Sequence, residues 1–254
     1  MFFKYEMIKR LAVLFSMFLT LSFTSCNGMH ISGNDDLQLI QEKTFSISPG
    51  NNLFVDITSG DVTITSWDKA EVYVKIFGNE NAMEKMEFIL EGNEEMVKVI
   101  GKKKSSISSW FSNVSVEVEI KVPAEFNLNV NTSGGDIKYG GISGQAELNT
   151  SGGNVWGEKF MGFLNISTSG GDISLIGSDT KINAETSGGD IVVKLPEEFK
   201  ASMELSTSGG DVSCSLNMSN VKKSSGSWLA GDLNGGGENL TAHTSGGDIT
   251  VTGR

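Results

Sequence analysis

The sequence predicts an all-β fold, specifically a parallel β-solenoid of β-helix-like form with about 18 residues per coil and right-handed winding. Three observations predict it. First, the pentapeptide TSGGD of residues 132–136 keeps returning: Thr132, Thr150, Thr168 and Thr186 each open a TSGG at intervals of 18, Thr207 follows after 21 and Thr244 after 37 more. A fixed period of this kind marks a repeat in which each unit buries its apolar side against its neighbours. Second, the residue after the turn's acid is β-branched in every copy, as Ile137, Val155, Ile173, Ile191, Val212 and Ile249. Third, apolar residues stand four and two places before each Thr, as in Leu128 and Val130 or Leu164 and Ile166, with polar residues between. That spacing of two belongs to strands with one buried face, and paired glycines at every period would break a helix.

The chain opens MFFKYEMIKRLAVLFSMFLTLSFTSC, where Lys4, Lys9 and Arg10 precede an uncharged run from Leu11 to Ser25. The run falls short of the roughly 20 apolar residues that span a bilayer. Residues 1–25 are therefore expected to be a signal peptide of the lipoprotein type, with Cys26 acylated as the new amino terminus. An ordinary cleaved signal or an uncleaved anchor is the plainer alternative, because Phe23 stands where the lipidation pattern prefers Leu. Residues 26–40 mix Gly, Asn, Asp and Ser and read as a lipid-anchored tether in which His30 is solvated.

Removing the signal leaves 17 basic and 30 acidic side chains, a net charge of −13. A surface so acidic repels phosphate backbones, so nucleic acid is excluded as a partner. Only Cys26 and Cys214 occur, so no disulfide framework supports the fold if Cys26 carries lipid. Cys214 follows the inward phase of Val212 and reads as a small buried hydrophobe.

Residues 41–125 form a β-rich part that either continues the solenoid or makes a small sandwich. EVYVKIF puts Val72, Val74 and Ile76 on one face, and VSVEVEIKVP does the same with Val114 to Val122. AMEKMEFILEG and EEMVKVIGKKK read as two more strands, and KKKSSISSWFSN as an exposed loop whose Trp110 and Phe111 either form a contact site or, on the plainer reading, fold back on the sheet. The shorter copy TSGD at Thr58 precedes Thr132 by 74 residues, about four periods.

Residues 126–254 form the repeat proper. The candidate turn residues are Thr132, Gly134, Gly135 and Asp136; Gly152, Gly153 and Asn154; Gly170, Gly171 and Asp172; Gly188, Gly189 and Asp190; Gly209, Gly210 and Asp211; and Gly246, Gly247 and Asp248. Paired glycines allow positive φ or close backbone approach, and Thr, Ser and Asp side chains bond the backbone groups that an arc leaves unpaired. The gap between Thr207 and Thr244 reads as two periods with one degenerate coil, and the chain's end as an uncovered edge open to self-association. A column of Asp carboxylates about 4.8 Å apart would repel, and calcium would relieve that. Asn154 keeps the hydrogen-bonding capacity without the charge, which favours a capping role, so no metal or other cofactor is assigned.

KTFSISPGNNLFVDITSGDVTITSWDKAEVYVKI, VEVEIKVPAEFNLNVNTSGGDI, the serial TSGGDI units and the late LNGGG together resemble the putative-adhesin family of β-strand-repeat envelope proteins. The resemblance covers nearly all of residues 41–254 and implies a β-solenoid in an exported or membrane-attached protein with no assigned active site. The expected protein is a non-enzymatic lipoprotein of the bacterial cell envelope, on its periplasmic or surface face. Its rigid β-solenoid would present a surface to a glycan or protein partner.

The rival reading is a polysaccharide-active β-helix lyase or hydrolase, and another is a scaffold for a second envelope protein. Against catalysis, Arg254 is the one arginine of the mature chain and His243 the one histidine of the domain, on the outward phase. Outward Glu147, Glu185 and Glu204 are expected to form an acidic stripe.

Overall fold

Alternation of apolar and polar residues makes strands along nearly the whole described chain. The computed structural model describes residues 37–104, 113–177 and 179–254, all within the compact unit Asp35–Arg254. The signal peptide, Cys26, His30, Trp110 and Phe111 lie outside the described residues.

The first half contains β1 (Gln38–Ser46), β2 (Asn52–Ile57), β3 (Asp61–Trp67), β4 (Glu71–Gly78), α1 (Glu80–Lys85), β5 (Met86–Gly92), β6 (Met96–Lys103) and β7 (Val116–Pro123). Four strand pairs follow, each split by one TSGG corner: β8 (Asn127–Thr132) with β9 (Ile137–Gly140), β10 (Ser143–Asn149) with β11 (Val155–Glu158), β12 (Met161–Ser167) with β13 (Ile173–Ile176), and β14 (Asp179–Thr186) with β15 (Ile191–Leu195). The chain ends with β16 (Ala201–Thr207), β17 (Val212–Cys214), β18 (Met218–Ser225), β19 (Trp228–Leu233), β20 (Glu238–Thr244) and β21 (Ile249–Gly253).

These strands build two sheets. The first has ten strands in the order β1-β4-β7-β3-β9-β11-β13-β15-β21-β17, and the second has eleven in the order β18-β19-β16-β20-β14-β12-β10-β8-β2-β6-β5. Interior pairs are parallel and in register, with Ile137 beside Val155, Val155 beside Ile173 and Ile173 beside Ile191. These four residues and Ile249 are fully buried, and the inward side chains of both sheets form one core. Burying each such side chain stabilises the fold by roughly 1.5–3 kcal/mol. β2, β3, β6 and β7 join the same two sheets by parallel pairing, so the first half adds strands to the stack.

Chain order and stacking order differ, which corrects three expectations. The Thr58 corner is the immediate neighbour of the Thr132 corner, with Ile57 beside Thr132 and Val62 beside Ile137. The residues between them go to the outer end of the stack. The 37-residue gap holds no degenerate coil, because β18 and β19 instead form an antiparallel hairpin that extends the second sheet from β16. The C-terminal strands leave no open edge: β20 sits between β14 and β16, and β21 between β15 and β17. The outermost strands of that end are β17 and β18.

Two local readings also change. The segment read as a strand from Ala82 begins as α1, because the Asn79 side chain accepts the Ala82 N–H at 3.0 Å and Lys104 donates to the carbonyls of Met83 and Glu84. An Asn cap with Glu80 in the first turn and Lys85 in the last is a short-helix signal. The last residues of the expected tether, from Gln38 on, are already strand β1.

Candidate functional site

The TSGGD corner is the feature that the sequence singles out, and its polar groups bond chiefly to the protein's own backbone. Each corner Thr is buried. Its hydroxyl donates to a glycine carbonyl of the adjacent corner: Thr132 to Gly60 at 3.0 Å, Thr150 to Gly135, Thr168 to Gly153, Thr186 to Gly171 and Thr244 to Gly189 at 2.9 Å, and Thr207 to Gly247 at 2.8 Å. The same oxygen accepts the N–H of the second glycine in its own turn, as from Gly153 to Thr150 and Gly189 to Thr186. One oxygen of each turn acid accepts the backbone N–H of the next acid in the stack. These bonds run Asp136 to Asp61, Asn154 to Asp136, Asp172 to Asn154, Asp190 to Asp172, Asp248 to Asp190 and Asp211 to Asp248, all at 2.8–2.9 Å. Asn154 serves because an amide oxygen accepts as well as a carboxylate oxygen does.

The two glycines have unequal reasons. Gly134, Gly152, Gly170, Gly188, Gly209 and Gly246 have room for a side chain, the nearest atom to an added Cβ being at 3.3 Å or beyond. Gly135, Gly153, Gly171, Gly189, Gly210 and Gly247 lie so close to the adjacent corner's carbonyl that a Cβ would approach its oxygen to 1.8–2.2 Å. None of these twelve has positive φ. Close approach, and not left-handed backbone, is what the second glycine supplies. Left-handed residues occur instead at the opposite arc, as at Gly141, Lys159 and Gly177.

Other candidate residues scatter. Glu147 and Glu204 share a row on the outer face of the second sheet, but Asn165, Asn183 and Thr241 stand between them. Glu185 lies two residues along, in the row of Asn149, Ser167, His243 and Ser206. The acidic stripe is therefore absent: Glu147 and Glu204 stand three residues before their Thr and Glu185 only one, so they fall in two outward rows with neutral residues between. His243 is exposed, with Nδ1 2.9 Å from the Ser206 hydroxyl. Cys214 is half-buried against the core, and burial pushes its thiol up, away from a reactive thiolate.

Among the described residues, no three His, Cys, Asp or Glu side chains gather as a metal site, and no helix is long and apolar enough to cross a membrane. A cavity of about 440 Å³ lined by Lys43, Leu90, Glu91, Gly92, Asn93, Met96 and Lys98 holds a single carboxylate. One of about 300 Å³ near Lys159 and Met161 holds none.

One constellation was not anticipated. Trp67, Tyr73, Phe77 and Trp156 all point outward from the first sheet, with lysine ammoniums over their rings. Strand alternation contained the signal, since Tyr73 lies between inward Val72 and Val74 and Trp156 follows inward Val155.

The chain is similar to solved structures. A putative cell adhesion protein from Clostridium sporogenes is similar over 85% of this chain and 100% of its own, at 11% identity and a TM-score of 0.50, a likeness of fold. A putative adhesin from Bacteroides fragilis covers 85% of this chain and 97% of its own, at 14% identity and a TM-score of 0.44. No match is found among curated proteins. The family profile described as Toastrack DUF4097 matches twice, over residues 50–154 and 126–252, which together take in every TSGG corner. With more than half of its length matched, the chain belongs to the Toastrack DUF4097 family.

Proposed function

We propose that the protein is a non-enzymatic, lipid-anchored protein of the bacterial cell envelope, held by an acylated Cys26, whose stacked strands present an outer surface for adhesion to a glycan or protein partner. In this reading the strand pairs wind as a right-handed coil of about 18 residues, and the TSGGD corners are structural caps. One observation carries it: the corner's threonine hydroxyls are buried and bonded to backbone, and one oxygen of each Asp or Asn side chain is bonded to the next corner, so these groups go into building the stack. What varies from level to level, and so can specify a partner, is the outward residues of the two sheets. The adhesion name of the Clostridium sporogenes structure agrees with this reading.

Two experiments test it. Labelling cells with palmitate should mark the wild-type protein and not Cys26→Ala. Crosslinking in cells followed by washing should leave the protein attached to envelope glycan or to an envelope protein. Release into the wash, or reproducible cleavage of a polysaccharide that one carboxylate substitution abolishes, would overturn it.

A further inference from the structure

The outer face of the first sheet differs from the rest of the molecule. Trp67 and Tyr73 stack with ring centroids 6.2 Å apart and 18° between planes. The indole N–H of Trp67 donates to the Glu71 carbonyl at 2.7 Å, and the Tyr73 hydroxyl donates to the Glu42 carboxylate at 2.7 Å, so both rings are held in orientation. Burial and that bond push the Tyr73 phenol up to about 12, which keeps it a neutral donor. Lys69 and Lys121 stand 4.8 and 5.9 Å from the Trp67 ring, and Lys138 stands 5.1 Å from that of Trp156. Trp156 is 37% exposed. It lies level with Thr63, two strands over and four residues along from Trp67, which separates the two indoles by roughly 16 Å.

Both signs of charge are mixed on this face: Lys69, Lys75, Lys121 and Lys138 stand among Glu42, Asp61, Glu71, Glu117, Glu119 and Glu158, in a molecule whose net charge is −11. A polyanion is repelled by the molecule as a whole, and a polycation finds more charge along the Asp column of the corners. A protein interface would have its charged residues cleared from the centre. Here every ring is bracketed by charged hydrogen-bonding groups. Such a surface suits a partner with apolar ring faces and hydroxylated edges, and the strand spacing suits a linear one.

Resting on the adhesion reading, we infer that this face binds an uncharged polysaccharide, sugar C–H faces lying on Trp67, Tyr73 and Trp156 and hydroxyls meeting the lysines and glutamates between. Exposed cation–π contacts are weak, so the lysines move aside from the rings at little cost. The strands beneath are paired on both sides, so the platform is formed before the ligand arrives.

The test is titration calorimetry of the detergent-solubilised full chain with cello-, xylo-, laminari-, manno- and chito-hexaose, and with polygalacturonate as the anionic arm. At least one neutral hexaose should bind saturably, with affinity falling tenfold or more in Trp67→Ala and Trp156→Ala. Phe163→Ala, on the other sheet's outer face, should bind as wild type, and unchanged unfolding curves show that the variants are folded. Binding of polygalacturonate alone, equal loss in Phe163→Ala, or no loss in the tryptophan variants would overturn the assignment. If no hexaose binds while the protein still adheres to whole envelopes, the glycan assignment falls and the adhesion reading stands; if adherence to envelopes is also absent, both fall.

Discussion

Alanine at Gly171 and alanine at Gly170 should differ sharply although the residues are neighbours in one motif. An added Cβ at Gly171 would lie 1.9 Å from the Gly153 oxygen and 2.4 Å from its carbon, whereas at Gly170 the nearest atom is 3.7 Å away. Restoring an ordinary contact at Gly171 means parting two corners by roughly 1.5 Å. That movement strains the two bonds between the corners, from the Thr168 hydroxyl to Gly153 at 2.9 Å and from the Asp172 N–H to Asn154 at 2.8 Å. Two lost bonds at about 0.5–1.5 kcal/mol each, plus about 1–3 kcal/mol for overpacking, give about 2–6 kcal/mol for Gly171→Ala. Gly170→Ala should stay within about 0.5 kcal/mol of wild type, since its φ is not positive and the site is open. Urea denaturation read by circular dichroism measures both. Equal destabilisation would refute close approach as the reason for the second glycine.

Further expectations follow from the same geometry. Asp172→Asn keeps the oxygen that accepts the Asp190 N–H and removes a charge from the column, so its stability should equal or exceed wild type, while Asp172→Ala should lose about 1.5–3 kcal/mol in the same denaturation assay. The Glu117 carboxyl is raised, first by burial and then by Glu119 and Asp61, so the folded state holds its proton more tightly than the unfolded state does. Its contribution is therefore present at low pH and lost as pH rises through the elevated value, and Glu117→Gln should raise the melting temperature at neutral pH and leave it nearly unchanged well below pH 4. Deleting residues 238–254 removes β20 and β21 from the interior of both sheets, so cooperative unfolding by calorimetry should disappear. Retention of a sharp transition would contradict the interleaved order.

The corner and its columns were legible because a stack imposes the same demand at every level, and the inward Ile137, Val155, Ile173 and Ile191 answer it with the same chemistry. The order of levels was not legible for the same reason. Ile191 pairs equally well with Ile249 or Val212, so local residues do not say which of the last two corners lies next to β15. That choice belongs to the β18–β19 hairpin and the length of chain around it, which carry no repeat. The α1 break is less legible because apolar residues from Ala82 to Leu90 suit a continuous strand, and only the Asn79 cap with Glu80 and Lys85 marks it. The aromatic face is less legible because the repeat is carried by the inward columns, while Trp67, Tyr73 and Trp156 stand in the outward phase, each once.

The central claim is that the corners build the molecule and the outer faces meet its partner. Its most direct test is retention of the quadruple variant Asp136→Asn, Asp172→Asn, Asp190→Asn and Asp248→Asn on washed cell envelopes, beside wild type. Every substituted side chain keeps the oxygen that bonds the next corner, so the account predicts a folded protein retained as fully as wild type. A folded variant that washes off would show that the corner carboxylates themselves engage the partner, and would contradict the account.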